Sequence, residues 1–363
     1  MGGRPAKLAL NGKWLGQEIT GTQRYAAEMT RHLLPRLPDR AVLHVPGNAI
    51  LPEWLADQVE VRRSRLRGTP FEQIALPWAA RRQLLLSLGG AAPLLARRQV
   101  ATMHDATPFR LPQTYGRVFG TWYRLMYRVV ARRAERLLTV SEFSKRELSA
   151  VLGVDPGRFV VAPNGVEHSD ADVGEAAVDL ATDRFVLMVG PPTAHKNIAP
   201  VASAIASRGT HVVVVGRAAH GVFRAATPAA RDVGAERVEW LGRVSDEQMR
   251  WLYRHASVLV FPSLYEGFGL PVVEAQRLGC PVVASNRASL PEVAGEGAVL
   301  VDPSDPARVA ERVVELLADE QALARIAASG RANAQRFRWS NSADRVAETL
   351  SELRGLSRAF GRP

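Results

Sequence analysis

The chain of 363 residues contains a single cysteine, Cys280. That excludes an intrachain disulfide framework and fits a reducing compartment. Long apolar runs are also missing. The longest apolar stretch, Leu84–Ala96, has 13 residues interrupted by two glycines and a proline, too short to span a bilayer. No leader-like segment precedes the first strand-like run, Leu8–Leu10, so a mature cytoplasmic chain is expected. Ala6 stands where a myristoylation motif needs Ser or Thr. There is no solenoid-length repeat, low-complexity tract or heptad run, which excludes solenoids and coiled coils. Zinc-finger spacings and RNP-type aromatic motifs are absent too, which counts against a nucleic-acid partner.

Acid is scarce in the first half alone. The net charge is +11, but residues 1–150 hold 24 Lys/Arg against 11 Asp/Glu, and residues 151–363 hold 23 against 25. A basic half points to an anionic membrane surface, a pyrophosphate lipid or nucleic acid, with an arginine-rich solvated surface as the plain alternative. Two clusters stand out: Arg62, Arg63, Arg65 and Arg67, then Arg124, Arg128, Arg132 and Arg133. Spacings of four place Arg124, Arg128 and Arg132 on one helical face.

What is present is alternation of short apolar runs with helical patterns. The length suits two α/β domains, and 47% apolar content is enough for two cores. Strand-like runs fall at Leu8–Leu10, Val42–Val45, Leu84–Leu88, Val100–Met103, Leu137–Val140 and Phe159–Ala162, and then at Phe185–Val189, His211–Val215, Val238–Leu241, Val258–Phe261, Val282–Ala284 and Val299–Val301. Helical patterns between them include Thr22–Leu34, Val118–Arg133, Glu142–Leu152, Asn197–Ser207, Asp246–His255, Pro271–Leu278 and Pro306–Leu317. Such alternation implies parallel sheets covered by helices on both faces. A boundary is expected after Pro163-Asn164-Gly165, before an acidic stretch at His168–Asp179. The expected domains are therefore 1–165 and 166–338, followed by a tail at 339–363 whose amphipathic run Ala343–Leu353 permits a helix. Asp170-Ala171-Asp172 mimics a metal-binding pair, but it follows no strong strand and reads as solvated, so no metal is expected.

The candidate chemistry centres on Glu266 and Glu274 in FPSLYEGFGLPVVEAQRLGC. Glu266 falls on the loop beyond a strand's carboxyl end, where open α/β sheets bind ligands. Glu274 falls near the start of the next helix and leans back toward that loop. The amides of Val272 and Val273 are expected to form an anion site there. Two carboxylates around such a site suit a sugar nucleotide; a solvated loop acid and a helix-dipole acid are the bland alternative. Lys196, after the strand that ends at Gly190, can neutralise a diphosphate leaving group. His104 ends a central strand and can hydrogen-bond a sugar while Asp105 orients it. Thr20 and Gly21 offer backbone amides before a helix that carries Arg24 in its first turn. Ser141 and Ser245 read as helix caps.

EGFGLPVVEA resembles the E-x7-E signature of retaining family-four glycosyltransferases. Phe185–Asn197 (FVLMVGPPTAHKN) resembles that family's VG…RKN pattern, which grips the diphosphate; Lys196 and Asn197 match it, while His195 stands where arginine is usual. Thr20–Tyr25 resembles the family's TG-x-x-RY entry between donor and acceptor, with Arg24 on the acceptor side. The HD context of His104 and Asp105 and the VAPNGV segment with Asn164 also resemble family landmarks. The resemblance implies an α/β fold of two facing Rossmann-like domains (GT-B type) around a cleft, with tail helices crossing back to the first. It implies donor contacts from Thr20, Gly21, Asn164, Gly190, His195, Lys196, Asn197, Val244, Gly267, Phe268, Gly269, Leu270, Val272 and Glu274. His104, Lys196 and Glu266 would be catalytic, and His104 and Asp105 would face the sugar and acceptor.

The implied reaction is metal-independent hexosyl transfer with retention, from a nucleotide-sugar co-substrate to a glycan or polyprenyl-diphosphate-linked acceptor. No cofactor is implied. GDP-mannose is the donor favoured by family habit, with UDP- and dTDP-sugars as alternatives. A sugar-nucleotide epimerase, a nucleic-acid-binding protein and a catalytically inactive homologue are the rival readings. The expected location is cytoplasmic, extending to the inner face of the cytoplasmic membrane.

Overall fold

Within residues 8–37, 41–55, 57–167, 176–216 and 235–359, which the computed structural model describes, there are two sheets, and every strand pairing in them is parallel. The first holds β1 (Leu8–Asn11), β2 (Val42–Val45), β3 (Glu60–Arg63), β4 (Leu84–Ser87), β5 (Gln99–Thr102), β6 (Arg136–Thr139) and β7 (Phe159–Val161), in the order β3-β2-β1-β4-β5-β6-β7. The second holds β8 (Val186–Val189), β9 (Val212–Val215), β10 (Val238–Gly242), β11 (Val258–Phe261), β12 (Val282–Ser285) and β13 (Val299–Val301), in the order β10-β9-β8-β11-β12-β13. Each order reverses at its first strand. The switch points therefore lie between β1 and β4 and between β8 and β11, the places where doubly wound sheets bind ligands.

The near-continuous apolar strands follow from burial on both faces. In the second sheet, Leu187, Leu259 and Phe261 pack with Leu252, Val272 and Ala275 of the helices Asp246–His255 and Leu270–Arg277. Their strand neighbours Val186, Met188, Val258 and Val260 pack on the other face with Val201, Val309 and Val313 of Ile198–Ala206 and Pro306–Leu317. Each such side chain contributes roughly 1.5–3 kcal/mol when fully buried.

Caps set helix ends where the sequence places them. Ser141 Oγ accepts the Ser144 amide at the start of Glu142–Leu152, and Gly153 closes that helix at φ 63°. Ser245 caps Asp246–His255 in a reciprocal capping box with Gln248.

The chain divides into two compact units, one of Met1–Ala106, Thr121–Gly165 and Arg338–Pro363, the other of Thr107–Gly120 and Val166–Phe337. The grouping of Thr107–Gly120 departs from the strand-based reading, and this segment contains no strand that could have placed it. In the first unit, the C-terminal helix Trp339–Ala359 buries Trp339 completely, its ring 5.6 Å from that of Tyr25. Ser342 Oγ donates to the Pro163 carbonyl at 2.7 Å and Arg345 Nη1 to that of Val161 at 3.0 Å.

One strand escaped the apolar pattern. All four residues of β3 are exposed, and its sequence EVRR has a single apolar residue. It is an edge strand, and charge there discourages pairing with another chain. Arg62 pairs with Glu60 at 2.6 Å, and Arg63 donates to the Ala49 carbonyl at 2.9 Å. Half of the Arg62–Arg67 cluster is therefore engaged locally.

Candidate active site

Every loop at the carboxyl edge of the second sheet starts from the same side, because all its strands are parallel. After β8, a single turn of 3-10 helix, Ala194–Lys196, presents Lys196. Asn197 ends that turn in the left-handed region, φ 54°, which Asn tolerates better than most residues. Its amide nitrogen donates to the Pro303 carbonyl at 2.6 Å. That side chain holds the turn in place.

Beyond β11, on the other side of the switch point, the Leu264 amide donates to the His195 carbonyl at 2.7 Å and laces the two loops together. The chemistry meets just above that bond. Lys196 Nζ donates to Glu266 Oε1 at 2.5 Å, with the two side chains 17% and 14% exposed. The ammonium also lies 5.4 Å from the centre of the Phe261 ring, within cation–π range. The sequence presents these as separate candidates; the fold makes them one ion pair.

Glycines let the loops approach. Gly190 has φ 148°, which L side chains rarely adopt, and the stem of Lys196 lies beside it. The Gly190 amide donates to the Val215 carbonyl and the Gly216 amide to the Gly242 carbonyl, both at 2.8 Å. A Cβ on Gly216 (φ 152°) would collide with the carbonyl of Gly190. Only Gly190 of this trio is conspicuous in the sequence. Gly216 follows β9 and Gly242 ends β10, and the apolar runs of those strands draw attention away from their ends.

The Glu266–Leu270 loop is held from below by a residue the sequence reading missed. Ser289 is fully buried, and its hydroxyl lies 2.9 Å from the Glu266 carbonyl and 3.0 Å from that of Phe268. Standing before Leu-Pro, it reads as a helix cap, yet it makes no cap bond. Phe268 is buried edge-on to Phe337 at 5.4 Å. Gly269 (φ 98°) starts the helix Leu270–Arg277, where a Cβ would meet Leu290 Cδ2 at 2.5 Å.

The anion site expected from the amides of this helix needs correction at Val272. The Val272 amide donates to the Gly269 carbonyl at 3.0 Å. Pro271 has no N–H, and this tight first turn takes the next donor. The Val272 side chain is fully buried in the core, which leaves the residue no surface for a ligand. Glu274 lies one turn in, and Tyr253 donates its hydroxyl to Glu274 Oε2 at 3.0 Å. Tyr253 orients this carboxylate, another role with no sequence signal. Val244 turns its side chain into the core, so its backbone is what the turn presents.

In the first unit, His104 and Asp105 follow β5. His104 lies 3.2 Å from the Leu88 carbonyl through Nε2 and edge-on to Tyr25 at 4.9 Å. The Leu88 carbonyl, rather than the Asp105 carboxylate, thus fixes the ring, with Nε2 as the protonated nitrogen. Although some of the ring surface is accessible, burial lowers its pKa to about 4 and outweighs the carbonyl contact. The imidazole is neutral at physiological pH, and Nδ1 is an acceptor. Thr20 and Gly21 are exposed at the start of Gly21–Leu33, with open space where a Gly21 Cβ would project. The Arg24 amide donates to the Thr20 carbonyl at 2.9 Å. Asn164 is buried. Asp170 and Asp172 lie outside the described residues. Among the described residues, no cluster of three or more His, Cys, Asp or Glu is placed to hold a metal.

Two family models match the chain, Glycosyltransferase Family 4 over residues 19–170 and Glycosyl transferases group 1 over residues 176–333. The O-antigen chain mannosyltransferase RfbU of Salmonella typhimurium is 29% identical over 227 residues, 62% of each chain. The O-antigen chain mannosyltransferase B of Escherichia coli is 28% identical over 265 residues, 69% of each. The match thus spans less than two thirds of the length of the Salmonella relative. Among solved structures, Anabaena HepE in complex with UDP and glucose superposes with a TM-score of 0.70 at 19% identity, covering 95% of this chain and 99% of that one, a likeness of fold. The first matched segment covers β2–β7 of the first sheet and the second covers all six strands of the second sheet together with Glu266 and Glu274. The chain belongs to the family-four glycosyltransferases.

Proposed function

We propose that the chain is a retaining, metal-independent hexosyltransferase acting in cell-surface polysaccharide synthesis. The observation that carries this reading is the Lys196–Glu266 pair at the β8/β11 switch point, inside the matched family segment. In the proposed reaction the acceptor oxygen attacks the anomeric carbon on the face from which the nucleoside diphosphate leaves. The bond from carbon to diphosphate oxygen breaks, and the departing phosphate takes the acceptor proton. Lys196 stabilises the leaving charge. Glu266 accepts sugar hydroxyls, Glu274 accepts ribose hydroxyls, and the neutral His104 accepts a hydroxyl through Nδ1. Mannose from GDP-mannose is the first donor choice, because the two O-antigen relatives are named as mannosyltransferases. A UDP-sugar is the second, favoured by the ligands of HepE.

The test uses a panel of nucleotide sugars in EDTA, with a lipid-extract acceptor and NMR of the product linkage. Turnover is expected without divalent cation, only with acceptor, and with the anomeric configuration of the donor. Inactivation by EDTA that magnesium or manganese reverses, or an inverted product, would overturn the corresponding part. Donor consumed equally without acceptor would favour an epimerase.

The acceptor is read as a glycan or a polyprenyl-diphosphate-linked saccharide, with the chain docked on an anionic leaflet from the cytoplasmic side. Among the described residues, no helix is long and apolar enough to cross a membrane. Support comes from the exposed Arg65, Arg67, Arg81 and Arg82 and from Ile74 and Trp78, which are 67% and 71% exposed. Arg81 stacks 4.5 Å from the Trp78 ring. Aromatic groups with cationic neighbours suit a headgroup boundary, and each such cation is worth about 1 kcal/mol near an anionic surface. Binding to phosphatidylglycerol vesicles should fall steeply as salt rises. Arg65→Glu with Arg67→Glu should weaken it about tenfold or more. Equal binding to neutral vesicles at low salt would remove the membrane from this account.

A further inference from the structure

The first sheet repeats the strand order of the second, so its β1/β4 switch point corresponds to the β8/β11 point that holds Lys196 and Glu266. A second Lys–Glu ion pair stands there. Asn11 ends β1 and Ser87 ends β4, both buried, and Asn11 Nδ2 donates to Ser87 Oγ at 3.2 Å and to Glu72 Oε1 at 3.3 Å. Lys13, two residues past β1, donates its amide to Asn11 Oδ1 at 3.1 Å. Its Nζ meets Glu72 Oε2 at 2.7 Å. The Glu72 side chain is 2% exposed and that of Lys13 is 16% exposed. The inner member is therefore enclosed, while the outer one reaches the surface.

Local structure is bent to bring Glu72 there. It belongs to a turn of π-helix, Phe71–Ala75, a rare geometry that concentrates at functional sites. The turn sends Glu72 inward while Ile74 faces outward. Burying an ion pair adds little stability over apolar packing, so the fold alone does not account for it. Lys13 has three ammonium protons and one acceptor, Glu72; the other two have none among the described residues. Nearby, the Tyr123 phenol is kept protonated by burial and then by the negative charges of Glu72 and Asp105. An ammonium whose charge a buried carboxylate already offsets, with two donors left, suits the hydroxyls of a neutral ring better than a phosphate.

We propose that Lys13 forms a saccharide-hydroxyl subsite and that Glu72 is the positioning residue that aims it. Building on the transferase reading above, the saccharide is the acceptor sugar. Lys13 follows β1 as Lys196 follows β8, whereas Glu72 comes from the segment before β4 and Glu266 from the loop after β11.

Saturation-transfer NMR tests this with four probes, the methyl α-glycosides of mannose, glucose, galactose and rhamnose. Calorimetry with GDP and UDP and a melting curve are run on the same samples. Wild type is expected to bind at least one glycoside. Lys13→Met and Glu72→Gln should weaken that binding about tenfold to a hundredfold, the range for losing a hydrogen bond to a charged group. Nucleoside-diphosphate affinity should stay within about twofold, since that site lies in the other unit; Lys13→Met should lower the melting temperature by leaving the buried Glu72 carboxylate unpaired, and Lys13→Met/Glu72→Gln should recover it without recovering glycoside binding. If Glu72→Gln fails to fold, the more exposed Lys13→Met decides. No glycoside signal from wild type, or undiminished binding by Lys13→Met, overturns the subsite. Wild type that binds a glycoside but neither nucleotide would instead sink the transferase reading and leave the saccharide site standing.

Discussion

Lys196→Met is expected to lower kcat for sugar transfer by about a hundredfold to a thousandfold, the usual loss when one preorganised donor to a developing negative charge is removed. The ground state should lose less. The Lys196–Glu266 pair is only part-buried, with side chains 17% and 14% exposed, so its coupling is well below that of a fully enclosed pair. Removing the lysine leaves Glu266 without its ammonium. The double variant Lys196→Met/Glu266→Gln should therefore recover melting temperature relative to Lys196→Met without recovering turnover. Kinetics and thermal melts of wild type, both single variants and the double variant separate the two effects. Turnover of Lys196→Met within tenfold of wild type would show that this ammonium does not carry the leaving-group charge.

Gly216→Ala should be the most damaging single methyl group in the second unit. Its Cβ would coincide with the carbonyl of Gly190, and φ 152° is a conformation L side chains rarely adopt. Overpacking and backbone strain each cost on the order of 1–3 kcal/mol. Together they should lower Tm by about 5–15 °C for a unit of this size. The carbonyl cannot retreat cheaply, because the Gly190 amide is bonded to Val215 and the Lys196 stem lies against Gly190. Gly21→Ala is the control, since nothing lies within 4 Å of its added Cβ. If both variants melt within 2 °C of wild type, about the scatter of such a comparison, the three glycine loops are looser than their hydrogen bonds imply.

Elements that bury apolar surface were legible before any coordinates. All twelve strands expected from apolar runs are present, because a strand covered on both faces must be apolar throughout. The helices Glu142–Leu152, Asp246–His255 and Pro306–Leu317 have the expected bounds, since caps and periodicity agree there. β3 was invisible because its role is to be charged at an edge. Spacing and places after strands single out Glu266, Glu274 and Lys196 in the sequence, and the structure pairs Lys196 with Glu266. Their other partners are not singled out: Tyr253, Ser289 and Gly216 act through contacts between segments distant in the chain, which no local pattern encodes. The Val272 amide was misread because dipole reasoning counts donors without asking which a tight turn already uses. Glu72 was passed over because a lone acid in FEQIA gives no sign of a π-turn that sends it inward.

The return of the last helix sets a timetable for synthesis. Trp339 and Leu350 complete the core of the unit whose strands run from Leu8 to Val161. At about 5–20 residues per second, a ribosome that has made Gly165 needs roughly 10–40 s more to deliver Ala359. For that interval the surface of the helix Gly21–Leu33 that will receive Trp339 has no partner, while the second unit is still emerging beside it. The first-made half is thus the last to be finished. A nascent chain stalled before Trp339 should be sensitive to protease and a ready client for chaperones, whereas the second unit can close as soon as its own residues are out.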